Sequence, residues 1–397
     1  MGNGRGDTPR VREHVDLLIV GGGPVGAALA LALHDSGLSI GLLEAQPASA
    51  PGDDARTLAL SYGSRNILHR LGIWSDALPA TAIEVIHVSQ RGRFGATRLS
   101  AQEAGVPALG YVVRYAALAQ RLRAALIGSA VDFQAGARVV RIQATGHYAL
   151  VEYQFGGALR QMTASLVALA DGGQGLAALT GSGVEEKDYR QSAVIAWVES
   201  ELPHCNVAYE RFTPDGPTEL LPDQDRFALV WVTDPQSAGE LVAAPEGDFL
   251  ARLHEHFGDR VGRFVALGPR SAFALKLRTA RTPVTRRVTL VGNASQALHP
   301  VAGQGFNLGL RDAWDLQSEI RQTFPGTLGD AAMLARYLSR RSLDRRIAIG
   351  ITDTLVRVFS NNRPVLQSVR GLALSALDLS PMGRRWLSRR MIFGARR

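Results

Sequence analysis

Cysteine is almost absent from these 397 residues: Cys205 stands alone. One thiol forms no intrachain disulfide and builds no cysteine metal centre, and both absences suit a reducing compartment. Lysine is nearly as scarce. Lys187 and Lys276 are the only two, so arginine carries the formal net charge of +8. No apolar run reaches the roughly 18 residues that a membrane-crossing helix needs. The opening stretch, through residue 13, lacks the apolar centre of a signal peptide and reads as a disordered leader. Acids vanish after Asp378, whereas Arg384, Arg385, Arg389, Arg390, Arg396 and Arg397 follow, interleaved with Trp386, Leu387, Met391, Ile392 and Phe393.

What is present is 46% hydrophobic residues and 42 glycines in a chain longer than one small core covers. That composition points to a globular α/β enzyme of one large or two interleaved domains. The N-terminal unit is the clearest. Asp16–Val20 reads as a short buried strand, Gly21-Gly22-Gly23-Pro24-Val25-Gly26 as a tight turn, Ala27–His34 as a small-residue helix, and Ser39–Glu44 as a second strand ending in an acid. This βαβ unit fits the dinucleotide fingerprint G-x-G-x-x-G. Gly21 permits the turn, Gly23 lets a pyrophosphate approach, and Gly26 lets helix and strand pack. Glu44 is placed to accept hydrogen bonds from an adenosine ribose. Only one such fingerprint occurs, so one dinucleotide is resident and any second one must visit.

Far along the chain, the buried strand Val288–Val291 precedes His299-Pro300-Val301-Ala302-Gly303-Gln304-Gly305-Phe306-Asn307-Leu308-Gly309-Leu310-Arg311-Asp312. Three glycines and a proline between a strand and a helix make a rigid turn that a ligand can approach closely. The free N–H groups of the helix then suit a partially anionic group on a flat cofactor. His299, locked before Pro300, reads as structural rather than as a base. Between the two glycine turns, Arg114–Leu126 has helical spacing, and Ala149–Phe155 and Leu166–Ala170 read as strands, the second leading to Asp171-Gly172. From about 190 to 280 the strand-like segments Val194–Val198, Val207–Phe212, Phe227–Val232 and Ser271–Leu277 predict a mostly antiparallel inserted sheet. From Gly303 onward the chain is mainly helical.

Gly21–Glu44, the Asp171-Gly172 step and Gly292–Asp312 together resemble the single-component FAD-dependent aromatic hydroxylases related to p-hydroxybenzoate hydroxylase. Within that class the glycine string from His299 is similar to the signature of the ubiquinone-biosynthesis hydroxylases. Gly292-Asn293-Ala294-Ser295-Gln296, Glu210-Arg211-Phe212-Thr213-Pro214 and Thr352-Asp353 add to the likeness. The resemblance implies an α/β fold: a Rossmann-like FAD-binding domain (14–80, 113–183 and 281–350), an inserted, mostly antiparallel β-sheet substrate domain (81–112 and 184–280), and C-terminal helices (351–397). It implies non-covalent FAD held by Gly21, Gly23, Gly26 and Glu44 at the ADP half. Arg56, Arg114 and Asp171 would contact the nucleotide, and Asn293 the ribityl chain. Pro300, Gly303, Gln304, Gly305 and Asn307 would lie at the flavin ring, with Pro300 and Gln304 lining it. Asn293 stands where most of the class has aspartate, as in a methoxyphenol-hydroxylating subgroup. The serine and arginine usual after Asp171-Gly172 are missing, which leaves the NAD(P)H contacts undefined.

The implied activity is hydroxylation of a polyprenylated (methoxy)phenol in ubiquinone biosynthesis, with NAD(P)H as transient reductant and O2 as oxygen source. No protein nucleophile is nominated, because the cofactor carries the chemistry. Two alternatives stay open: an FAD-dependent reductase or dehydrogenase of the same fold, and a non-catalytic flavin-binding component of a quinone-biosynthesis assembly. The Arg384–Arg397 tail fits an anionic membrane surface better than nucleic acid, for which no fold motif is present. A helix packed on its own domain is the alternative for that tail. The expectation is a cytoplasmic protein, peripheral at the inner face of the membrane.

Overall fold

The strand His14–Val20 is apolar on both faces because it runs through the middle of a covered sheet, where Leu17, Leu18 and Ile19 are fully buried. The computed structural model describes residues 13–47, 56–92, 94–173, 180–298, 303–359 and 364–394. In it, His14–Val20 pairs in parallel with Ile40–Glu44 and with Ala158–Leu169. Asp132–Ala135 and Val288–Leu290 extend the parallel run on either side. Ala149–Phe155 and Arg138–Ala144 form an antiparallel meander on the first half of Ala158–Leu169.

The described helices, in chain order, are α1 (Pro24–Leu33), α2 (Tyr62–Arg70), α3 (Ala101–Ala104), α4 (Tyr115–Ile127), α5 (Pro235–Ala243), α6 (Glu246–Phe257), α7 (Gln304–Arg321), α8 (Ala331–Phe359), α9 (Pro364–Asp378) and α10 (Pro381–Phe393). Leu29 of α1, Leu122 of α4 and Leu316 of α7 close one face of the parallel sheet over Leu17 and Ile19. Val151, Tyr153 and Val167 join Leu18 and Val20 on the other.

A second sheet runs in the order Gln296–Ala297, Ser271–Ala280, Val184–Ser200, Arg226–Thr233, Pro217–Asp223, Val207–Phe212, Val85–Gln90, Ala96–Ser100. Neighbours along it are antiparallel except Val207–Phe212, which pairs in parallel with Val85–Gln90. The stretch from 190 to 280 is not sheet throughout: α5 and α6 interrupt it and cover one face with Leu241, Phe249, Leu253 and Phe257. Asp234 caps α5, its Oδ1 accepting from the N–H groups of Gln236 and Ser237 at 3.0 Å each, and Pro235 takes the first helical position. A separate three-stranded sheet of Thr57–Ser61, Gly110–Arg114 and Ala80–Ile83 lies across the expected divisions at 80/81 and 112/113. Among the described residues, no helix is long and apolar enough to cross a membrane.

Candidate functional site

Glycines weld the separated motifs together. Gly21 has a positive φ of 107°, and a Cβ there would meet the Ala170 carbonyl oxygen at 2.4 Å, so the first turn packs on the strand end that leads to Asp171. A Cβ at Gly26 would lie 2.0 Å from the Gly21 carbonyl oxygen, and one at Gly309 would lie 2.9 Å from Val25 Cγ2. Gly173 packs against the Asn293 carbonyl, and the Arg278 guanidinium donates to the Gly173 carbonyl. The fingerprint turn, the Asp171 step, Gly292–Asn293 and the start of α7 therefore meet at the carboxyl ends of the parallel strands, where open α/β sheets bind ligands.

Two helices begin there without caps. α1 has Gly23 at its N-cap and Pro24 next, with no side-chain cap among the described residues. Among the described residues, nothing stands within 4 Å of where a Gly23 Cβ would be. α7 starts from Gly303 at φ 57°, and among the described residues it has no side-chain cap and the space beside Gly305 is equally open. Each start is a ready anion site. Open cradles at Gly23 and Gly305 beside uncapped N–H groups fit the pyrophosphate and the anionic ring edge of a flavin dinucleotide.

The other expected residues fall as follows. Glu44 accepts from Gly22 N–H at 2.5 Å and from Gln46 N–H at 2.7 Å, and keeps lone pairs for a further donor. Arg56 stacks over Tyr115 at 4.8 Å. Arg114 reaches the other sheet, donating to Gln224 Oε1 at 3.1 Å and lying 3.7 Å from Asp223. Asp171 accepts from Gly173 N–H at 3.1 Å. Asn293 is exposed between buried Gly292 and Ala294, and Gln304 lines the apolar cavity described below. Asn307 has a different task from the one its motif suggests. It is the fourth residue of α7, where helix geometry already pairs its N–H. Its buried side chain accepts from Ser61 N–H at 2.8 Å and donates to the carbonyls of Ala59 at 2.9 Å and Gly303 at 2.7 Å. It clamps the helix start to the three-stranded sheet. His299 and Pro300, and the segment 174–179 after Asp171, lie outside the described residues.

An apolar cavity of about 240 Å³ opens between the second sheet and the C-terminal helices. Ile86, Val88, Leu99 and Phe212 form its sheet wall, and Gln304 stands at the α7 end. Leu374 of α9 with Leu387 and Met391 of α10 close the opposite side. Two polar groups interrupt this lining on the sheet, Thr97 and Glu210. Burial pushes the Glu210 carboxyl up to about 7.

Sequence reasoning missed Asp312, although it lies inside the glycine string. Its buried carboxylate accepts from Gly292 N–H at 3.0 Å, Gln296 Nε2 at 2.7 Å and Arg341 Nε at 2.7 Å. It thereby ties the Asn293 turn to α7 and α8. Arg341 also reaches Asp315 at 2.9 Å and Asp344 at 3.0 Å. Burial opposes its charge, but these carboxylates outweigh burial and raise its pKa. The only sequence signal was an acid at an otherwise apolar helix position.

Fold and site define a flavin-dependent monooxygenase class, and comparison with known proteins agrees. The FAD binding domain family matches residues 14–348. Ubiquinone hydroxylase UbiL of Rhodospirillum rubrum is 33% identical over 387 residues, covering 95% of this chain and 89% of that protein. The 3-demethoxyubiquinol 3-hydroxylase of Escherichia coli K12 is 32% identical over 377 residues, 92% and 95% of the respective chains. Among solved structures, p-nitrophenol 4-monooxygenase PnpA from Pseudomonas putida matches with a TM-score of 0.76 at 17% identity, over 97% of this chain and 100% of that one, a likeness of fold. The chain belongs to the FAD binding domain family, in the company of the ubiquinone hydroxylases, and FAD is its cofactor.

Proposed function

We propose that the protein hydroxylates the ring of a polyprenylated (methoxy)phenol in ubiquinone biosynthesis, with NAD(P)H as visiting reductant and O2 as oxygen source. The observation that carries this reading is one apolar cavity opening onto Gln304, at the uncapped start of α7. Gly21, Gly23, Gly26 and Glu44 would hold the ADP half of FAD, with Arg56, Arg114, Asp171 and Asn293 beside the middle. Pro300, Gly303, Gln304 and Gly305 would flank the ring. Bound FAD supplies hydride acceptance and oxygen activation. The chain supplies the rest. The α7 N–H groups favour negative charge at the ring edge. Apolar walls keep water from the reacting centre, and the cavity orients the phenol. The measurement is anaerobic flavin reduction by NAD(P)H, followed by oxygen and a short-chain prenylated phenol. Hydroxylated product carrying label from 18O2 is expected. Cofactor oxidation without oxygen insertion would favour the reductase alternative and sink this one.

The reading extends to the membrane. A cavity of about 240 Å³ accommodates a ring head but not a long polyprenyl tail. The tail would leave between α9 and α10, which wall the cavity. On the outside of those helices Leu379 and Met382 are more than four-fifths exposed, and Leu372 and Trp386 are also exposed. Met382, Arg385, Trp386 and Arg389 share one exposed face of α10 at helical spacing. Arg384 turns inward instead, donating to Glu103 at 2.7 Å, so lipid docking rests on Arg385 and Arg389 rather than on every arginine of the tail.

A further inference from the structure

Glu219, Glu210, Val88 and Thr97 form one row across four neighbouring strands. Glu219 is paired with Glu210, Glu210 with Val88, and Val88 with Thr97. Residues in such a row point to the same face of the sheet. Glu210, Val88 and Thr97 line the apolar cavity that ends at Gln304. Glu210 Oε1 and Thr97 Oγ1 are buried there, and neither has a hydrogen-bond partner among the described residues. A carboxyl and a hydroxyl left unpaired in an apolar wall are costly to folding, and such atoms mark a place where a polar group binds.

The geometry points to Glu210 as the proton acceptor for the ring hydroxyl of the substrate, with Thr97, one strand beyond Val88, as a second polar group in the same wall. This assignment rests on the phenol-hydroxylase reading above. In the step, the phenol O–H bond breaks, the proton bonds to Oε1, and the electron pair stays on the ring oxygen. No electron is gained or lost, and the proton returns to that oxygen when product leaves. The phenolate is richer in electrons at the carbons ortho and para to the oxygen, which electrophilic oxygen attacks.

The surroundings suit a base. Glu219 lies directly opposite on the neighbouring strand, so charging both carboxyls together would be unfavourable. From α7 the lining includes Arg311, and from α8 Asp344, but these two are paired with each other at 2.8 Å. From α10 comes Arg390, whose guanidinium lies over Trp386 at 5.9 Å. Among the described residues, α9 contributes Ala373, Leu374 and Leu377. Burial places the Glu210 carboxyl near neutrality, where a general base is most effective.

The experiment compares FAD-loaded wild type with Glu210→Gln across pH 5.5 to 9, using a short-chain prenylated phenol as substrate and a nitrophenol as a chromophoric probe of ionisation. Wild-type kcat is expected to rise with pH through about 7. Glu210→Gln is expected to lose that limb and about 10²–10⁴-fold in kcat with little change in KM. Bound nitrophenol should show phenolate absorption in the wild type and neutral absorption in the variant. Hydroxylation that is unchanged in Glu210→Gln overturns the assignment while leaving the hydroxylase reading intact. A wild type that ionises nitrophenol through Glu210 yet oxygenates no phenol supports the proton acceptor and overturns the hydroxylase reading alone. If the variant does not fold, the wild-type titration still decides: nitrophenol that stays neutral in the cavity at pH 8 overturns the proposal.

Discussion

Gly23 and Gly26 are three positions apart, yet the same added methyl meets opposite surroundings. At Gly26 it would strike the Gly21 carbonyl at 2.0 Å, and at Gly23 it finds no described residue within 4 Å. Gly26→Val should therefore destabilise the fold and release FAD together. Gly23→Ala should leave the melting temperature of the flavin-free protein unchanged while weakening FAD binding at least tenfold. Flavin titration of both variants checks this, and a fully loaded, yellow Gly26→Val would overturn the fingerprint assignment. Charge is equally local in effect. Burial, helped by Arg91 and Arg211, holds His256 down to about 3, while its Nε2 bonds Thr218 Oγ1 at 2.8 Å. Between that value and the ordinary 6.5 the unfolded chain binds a proton that the folded one refuses, so His256 contributes stability that is lost on acidification. Glu210 works in reverse: it keeps its proton between 4.5 and about 7 when folded, so its contribution is lost as pH rises. In melting curves from pH 4.5 to 6.5, His256→Gln should flatten the rise of Tm with pH and Glu210→Gln should steepen it. Shifts of the same sign would refute the scheme. At this scale the glycines were legible because backbone freedom is a local property. Glu210 was visible only as part of a motif, because its burial depends on strands more than a hundred positions away.

Helices show the same division. α5 carries its own start signal in Asp234-Pro235, and α6 its stripe of Phe249, Leu253 and Phe257, so both were written in the chain. They were hidden by the strand-rich segments around them. α10 is the instructive case, since basic and apolar residues alternate along it without showing which face turns inward. The structure divides them. Leu387, Met391 and Ile392 pack inward, Arg384 pairs with Glu103, and Met382, Arg385, Trp386 and Arg389 remain outside. Ending the chain near Ser380 would remove lipid contacts and a cavity wall at once, so it tests neither cleanly. Met382→Ser/Trp386→Ser and Arg385→Glu/Arg389→Glu keep the wall. Sedimentation with anionic liposomes should show both double variants in the supernatant, the wild type in the pellet at low salt and released at high salt. Turnover on a short-chain phenol should remain near wild type. Equal pelleting of all three proteins would remove the membrane from the proposal.

For the molecule as a whole, the α/β class, the parallel sheet and the inserted sheet were legible, because a fingerprint and a change of periodicity announce them. Two things were not. One is the parallel pairing of Val207–Phe212 with Val85–Gln90, which joins segments more than a hundred residues apart. The other is the small sheet in which Thr57–Ser61 pairs with Gly110–Arg114, across the expected division. Register between distant strands is settled by what the assembled core needs, and no short window carries that information. The interleaving has a consequence for how the protein is made. The parallel sheet gains Val288–Leu290 and the second sheet Gln296–Ala297 only late, and α7 to α10 cover them later still. A nascent chain must therefore carry open strand edges through most of its synthesis, at the stage when aggregation competes best with folding. Stalled ribosome complexes with 280 residues outside the exit tunnel should be cut readily by protease, and those with 394 should resist, more so when FAD is present during translation.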